Sequence, residues 1–192
     1  MKMRKKGFLL TGLTKQVIRS KILLRLKTQK EEDRDRKSSL IKQKLLRALV
    51  FKKAKVVMFF ISFGGEVETK EMIKQAIASG KTVAVPVCSK KRAMRPSILR
   101  EKAKLVRGLY EIYEPAIKKF VKLEDLDLVI VPGIAFDKKG SRLGRGKGYY
   151  DTFLHKLKPY KTASIGLAFD FQILPYIPTT CEDKEVERVI FA

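Results

Sequence analysis

A chain of 192 residues fits one domain, and an apolar fraction of 45% with 12 glycines and 7 prolines is globular rather than disordered. No apolar run approaches the roughly 20 residues that cross a bilayer, which argues against a helical membrane span. Lysines and arginines number 43 against 20 aspartates and glutamates, a net charge of +23. That excess favours an anionic partner (nucleic acid, acidic membrane or a polyanionic small molecule), with a generally lysine-rich surface as the plainer reading.

The opening residues 1–13 resemble the first half of a signal peptide. Thr11 and Gly12 interrupt the apolar stretch, Lys15 follows at once, and no small-residue cleavage site appears, so a cytoplasmic chain is expected. Residues 13–27 place Val17, Ile18, Leu23, Leu24 and Leu26 compatibly with an amphipathic helix. After a polar run, a second helix has a better stripe at Leu40, Ile41, Leu45, Leu46 and Leu49.

From residue 56 to 63 the chain reads VVMFFISF, a strand buried on both faces, and it breaks at Gly64-Gly65. A helix over residues 69–78, closed by Gly80, leads to the strand TVAVP at 82–86, completing a βαβ unit. The basic segment 89–107 reads as a solvated excursion. It lacks the interleaved aromatics that stack bases, so nucleic acid is the less favoured partner. DLVIV at 127–131 is another buried strand, ended by Pro132-Gly133. A short helix at 148–157 and a strand at 162–168 follow. The whole predicts an α/β fold: a three-layer, open, mostly parallel sheet with helices on both faces, Rossmann-like and doubly wound. The N-terminal helices, about 13–50, pack on an α/β core of about 55–192 in a single domain spanning residues 1–192. In such folds ligands sit beyond the carboxyl ends of the strands, where Gly64-Gly65 and the loop after Val131 can meet.

The stretch RLGRGKGYYD, residues 142–151, carries the chemistry. Glycines at 144, 146 and 148 let backbone N–H groups approach an anion, and Arg142, Arg145 and Lys147 bring charge to the same place. It is neither a dinucleotide fingerprint nor a Walker loop, but it lies between a buried strand and a helix start, where free N–H groups favour phosphate. Asp151, on the first helical turn, reads as a Mg²⁺ ligand, or as a helix cap or partner of Arg142. Tyr149 and Tyr150 occupy consecutive helical positions, so one is expected to pack inward and the other to face a planar ligand. His155 reads as a helix-surface residue. Cys88 and Cys181 lie far apart, form no CxxC pair and imply neither disulfide nor zinc; Cys88 reads as a small apolar residue.

These residues resemble the 5-formyltetrahydrofolate cyclo-ligase family, also called 5,10-methenyltetrahydrofolate synthetases. The match is most specific over residues 132–151, PGIAFDKKGSRLGRGKGYYD. It extends to SFGGEVETKEMI at 62–73 and to Lys15 and Arg19 in the family's Lys-x-x-x-Arg spacing, and is weakest over 90–122. The resemblance implies an ATP- and Mg²⁺-dependent closure of 5-formyltetrahydrofolate to 5,10-methenyltetrahydrofolate, with ADP and phosphate released through a phosphorylated formyl (iminium phosphate) intermediate. Lys15 and Arg19 would reach the ATP phosphates. Arg142, Leu143, Gly144, Arg145, Gly146, Lys147, Gly148, Tyr149 and Tyr150 would wrap the triphosphate, with Arg145 and Lys147 nearest the transferred group as the catalytic pair. Ile61, Glu66 and Tyr149, with residues 145–148, would contact folate; for Ile61, ordinary strand core is an equal reading, and Glu68 reads as a helix cap. Asp151 and Asp183 would hold Mg²⁺, although Cys181, Glu182 and Glu187 depart from the family's pattern around Asp183. A monomer is expected. The lysine surplus suits a polyglutamylated folate or a heat-adapted surface, and the rival class is a basic RNA-binding protein on a related α/β scaffold.

Overall fold

Val56–Met58 (β1) lies inside a six-stranded sheet, between Thr82–Cys88 (β2) and a strand that follows much later in the chain. The computed structural model describes residues 14–91 and 93–192; the opening segment considered above, and the helix start predicted at Leu13, fall outside the described residues. Among the described residues three helices precede β1: Lys15–Thr28 (α1), Glu31–Arg47 (α2) and Leu49–Lys53 (α3). Lys70–Ala78 (α4) connects β1 to β2. Met94–Ile98 (β3) pairs with β2 antiparallel, and the hairpin Leu105–Arg107 (β4) with Tyr113–Pro115 (β5) stands apart from the main sheet. Leu128–Val131 (β6) returns to the other side of β1. Ala135–Asp137 (β7) and Arg142–Leu143 (β8) lead to Tyr149–Leu157 (α5), Ala163–Ala168 (β9), Ile173–Leu174 (β10) and Arg188–Phe191 (β11).

The sheet order is β11-β9-β6-β1-β2-β3, parallel except for the β3 edge. The order reverses between β1 and β6, which makes their carboxyl ends the switch point where open α/β sheets take ligands. Alternation along the central strands divides the core. Val57, Phe59, Leu128, Ile130, Ile165 and Leu167 pack with α1, α2 and α4, while Met58, Val129 and Val131 pack with Phe153, Leu154 and Leu157 of α5. Helices therefore cover both faces, as the apolar runs predict. A small second sheet, β10-β7-β8, carries the chain into the glycine-rich loop. Among the described residues no helix is long and apolar enough to cross a membrane.

Three details differ from the sequence expectation. The strand predicted over 56–63 leaves the ladder after Phe59, whose N–H still reaches the Ala84 carbonyl at 2.9 Å. Beyond it the Thr69 hydroxyl replaces a neighbouring strand, donating to the Phe60 carbonyl (2.8 Å) and accepting from Ser62 N (3.2 Å). The basic segment is not wholly a solvated excursion: β3 buries Met94, Pro96 and Ser97, and turns Arg95 outward over the Phe120 ring at 3.7 Å. Proline fits there because this strand is an edge. On α2 the core positions are Ile41, Leu45 and Ser38, whereas Leu40 is exposed; the helix ends at Arg47, so Leu49, expected on the same stripe, opens α3 and is exposed. Ser38 is satisfied in the core because its hydroxyl accepts from Glu68 N at 3.1 Å, which ties α2 to the start of α4.

Candidate active site

The glycine-rich loop hangs over the switch point because β7 and β8 pair antiparallel, Ala135 opposite Leu143 and Phe136 opposite Arg142. Gly148 then starts α5 from a left-handed conformation (φ 72°) with no side-chain cap, which sets the positive end of the helix beside the loop. Leu143 points into the core, and its carbonyl accepts from Ile134 N at 2.7 Å. What Leu143 presents to a ligand is therefore backbone at most.

One face of α1 closes the loop from the other side. Arg19 Nε donates to the Gly144 carbonyl at 2.8 Å, and its guanidinium lies against Gly146. One helical turn earlier, Lys15 pairs with Asp183. The Asp183 Oδ2 atom also accepts from Thr180 N (2.6 Å) and Thr180 Oγ1 (2.9 Å). Burial pushes this carboxyl up, but the bonds from Lys15 and Thr180 outweigh it, and its pKa lies below the ordinary value.

Between the β1 end, the β6 end and the loop lies a cleft of about 250 Å³. Its walls hold the two loop cations apart. Arg145 turns to the β1 side, with Nε and Nη2 on Glu66 Oε1 at 3.2 and 2.9 Å and its guanidinium 4.1 Å from the Phe63 ring centre. Lys147 turns to the opposite wall, 5.3 Å from the ring centre of Tyr110. Glu66 is buried, and burial lifts its carboxyl above the ordinary range, more than the Arg145 guanidinium and the Phe63 N–H lower it. Ile61, partly buried, lines the same cleft.

Both tyrosines line the cleft, which is not the expected division of one inward and one outward. Tyr149 is packed edge-on to Tyr110 (centroids 6.0 Å apart) and donates to the Ser89 carbonyl at 2.6 Å. Tyr150 is the less buried residue of the two, but its hydroxyl is buried without a hydrogen-bond partner among the described residues, and burial raises its pKa far above the ordinary phenol. Arg142 also departs from an open phosphate contact. It is buried, with Nη2 on Asp151 Oδ1 at 2.6 Å and Nη1 on the Pro132 carbonyl at 3.4 Å.

Asp151 Oδ1 also accepts from Lys184 N at 3.3 Å, which puts the Asp183 segment beside it. No group of three His, Cys, Asp or Glu side chains is poised for a metal among the described residues. Each of the two aspartates commits one oxygen, Oδ1 of Asp151 and Oδ2 of Asp183, and leaves the other without a hydrogen bond among the described residues. That donor set fits Mg²⁺, which uses one or two carboxylates together with substrate phosphates and water.

Nearly every residue singled out in the sequence thus converges on one cleft and its α1 rim. His155 is exposed, as expected, and Cys88 lines the cleft with burial pushing its thiol up to about 11. Phe63 and Tyr110 were not anticipated. Tyr110 lay in the stretch of weakest pattern, two positions after Gly108.

A cationic glycine loop over the switch point of an open α/β sheet, facing a cleft with a buried carboxylate, defines an enzyme of the small-molecule type. Residues 12–192 match the sequence profile of the 5-formyltetrahydrofolate cyclo-ligase family, and the chain belongs to that family, whose members are ligases. It is 34% identical over 191 residues to the 5-formyltetrahydrofolate cyclo-ligase of Mus musculus, covering 92% of this chain and 93% of that one. The Escherichia coli cyclo-ligase is 36% identical over 141 residues, 71% of this chain and 78% of the relative. Among solved structures, the Aquifex aeolicus 5,10-methenyltetrahydrofolate synthetase superposes with a TM-score of 0.82 at 31% identity, covering 93% of this chain and 90% of that chain.

Proposed function

We propose that the protein closes 5-formyltetrahydrofolate to 5,10-methenyltetrahydrofolate in a reaction driven by ATP. One observation carries this reading: Arg145, from the phosphate-type loop, touches Glu66 on the opposite wall, so an anion on the loop and a donor-rich heterocycle on the carboxylate would meet inside one cleft. A formyl amide is a poor electrophile and its oxygen a poor leaving group. Phosphorylation solves both problems. The formyl oxygen attacks the γ-phosphorus, the bond to the β–γ bridging oxygen breaks and ADP leaves. The N10 lone pair then attacks the activated formyl carbon, N10 gives up its proton, and the carbon–oxygen bond breaks to release phosphate.

Positioning and charge neutralisation dominate such a transfer. Arg145 and Lys147 would balance the charge that moves from the γ-phosphoryl group to the bridging oxygen, while Arg19 and Lys15 hold the loop against α1. Glu66 would accept hydrogen bonds from the pterin edge, and the aromatic wall of Tyr110 and Tyr149 would flank the ring. Asp151 and Asp183 would hold Mg²⁺, which supplies charge neutralisation at the phosphate oxygens when bound. The surplus of lysine suits a polyanionic substrate such as a polyglutamylated folate. Purified protein mixed with MgATP and 5-formyltetrahydrofolate should form the methenyl product, followed by its absorbance, and omission of ATP should abolish it. Absence of ATP-dependent product removes the proposal.

A further inference from the structure

The Arg145–Glu66 contact is more than a bridge between two walls. Both donors of the guanidinium fall on a single oxygen, Oε1, while Oε2 has only Phe63 N at 3.5 Å. The Glu66 side chain is 6% exposed and Arg145 is 34% exposed, so the carboxylate is fixed while the cation has room to leave. A buried carboxylate left without a partner is costly, and this one keeps its pairing through a cation from the opposite loop. A ligand edge carrying two parallel N–H donors needs both oxygens, and the guanidinium stands on one of them. The flanking Gly144 and Gly146 carry no side chains to hold Arg145 in place.

From this geometry, and resting on the reading that ATP and a formylated pterin share the cleft, we propose that Glu66–Arg145 is an exchange contact coupling the two substrate subsites. The pterin donors take over Glu66, Arg145 is released towards the triphosphate, and each substrate tightens the other. Lys147 takes no part in the exchange: its ammonium lies over the Tyr110 ring, and no carboxylate among the described residues forms a salt bridge with it. Coupling between sites is reciprocal, so the effect reads out from either ligand.

Titration calorimetry with a non-hydrolysable MgATP analogue and 5-formyltetrahydrofolate tests this. In the unmodified protein each ligand should strengthen the other by about fivefold or more. In Glu66→Gln the analogue alone should bind more tightly than to the unmodified protein alone, approaching its affinity for the folate-loaded form. A gain of affinity cannot come from damaged folding, and it is measurable even where the variant no longer holds folate. In Arg145→Ala the analogue should bind more weakly and cease to respond to folate. The proposal is overturned by independent binding in the unmodified protein, by an unchanged or weakened analogue affinity in Glu66→Gln, or by coupling that survives in Arg145→Ala. A protein that binds both ligands but forms no product would instead defeat the proposed reaction and leave the coupling intact; one that binds neither defeats both.

Discussion

Arg142 reaches Asp151 at 2.6 Å from a position 3% exposed, joining the strand that enters the glycine-rich loop to the helix that leaves it. The pair closes the loop at its base, and Nη1 adds the Pro132 carbonyl at the end of β6. Removing the guanidinium strands a carboxylate and a carbonyl in low dielectric. Arg142→Ala should cost about 2–4 kcal/mol, below the fully buried limit because Asp151 is 22% exposed. Urea unfolding measures that loss. A change under about 0.5 kcal/mol, the size of an ordinary surface substitution, would show that the pair is not a structural clasp.

Lys147 gives the opposite expectation. It is exposed, and its contact with Tyr110 is a cation over a ring at 5.3 Å. Lys147→Ala should therefore leave stability within about 0.5 kcal/mol while lowering turnover by about a hundredfold or more. Thermal melts and initial rates at saturating substrates separate the two effects, and near-normal turnover would remove Lys147 from the catalytic pair.

Two carboxylates should give pH profiles of opposite sign. Asp183 has a lowered folded pKa, so its contribution is present above the unfolded value of about 4 and is lost as pH falls through the lower folded value. Asp183→Asn should be less stable than the parent at neutral pH, and the two should converge in acid. Glu66 has a raised folded pKa, so its relative contribution is greatest below the unfolded value and is lost as pH rises through the folded one. Glu66→Gln should gain stability relative to the parent as pH rises above about 4.5. Urea midpoints across about pH 3 to 8 decide both, and a Glu66→Gln difference independent of pH would contradict a raised Glu66 pKa.

Gly65 is where α1 meets the turn after β1. Its φ is 83°, and a Cβ there would lie 2.2 Å from the Leu26 carbonyl oxygen, where Gln29 Nε2 already joins the Gly65 carbonyl at 2.7 Å. Gly80, with φ 80°, caps α4 in open space. Gly80→Ala should cost about 1–2 kcal/mol, the left-handed penalty alone. Gly65→Ala should cost about 1–2 kcal/mol more and lower turnover too, because α1 must shift away from the loop it braces. Equal losses at the two positions, measured by urea unfolding, would deny the tight contact at Leu26.

The apolar runs at 56–59 and 128–131 announced their strands because both faces are buried, and that placed the switch point correctly. β3 escaped notice because Arg95 and its basic neighbours mask the buried Met94, Pro96 and Ser97. The premature end of β1 was equally hidden, since the Thr69 hydroxyl that replaces the ladder belongs to the next helix. In the site, the glycines, cations and Glu66 were legible from residue type. Arg142 with Asp151 was one of the pairings the sequence offered, but the partner of Arg145, a carboxylate 79 positions away, was not legible. Side-chain direction at Tyr149 was set by Tyr110 and the Ser89 carbonyl, neither of which the local spacing could announce.

The bond between Lys15 and Asp183 spans 168 positions, and Lys44 of α2 also reaches the Phe191 carbonyl on the last strand. Synthesis runs from the N-terminus, so α1 and α2 emerge long before the surfaces they dock on exist. Such distant contacts demand loop closure before they return any stability. On the ribosome, then, the chain passes through a prolonged stage in which its cationic helices are present but the loop they brace is still unsupported. The Lys15–Asp183 link closes only once the segment after β9 has been made.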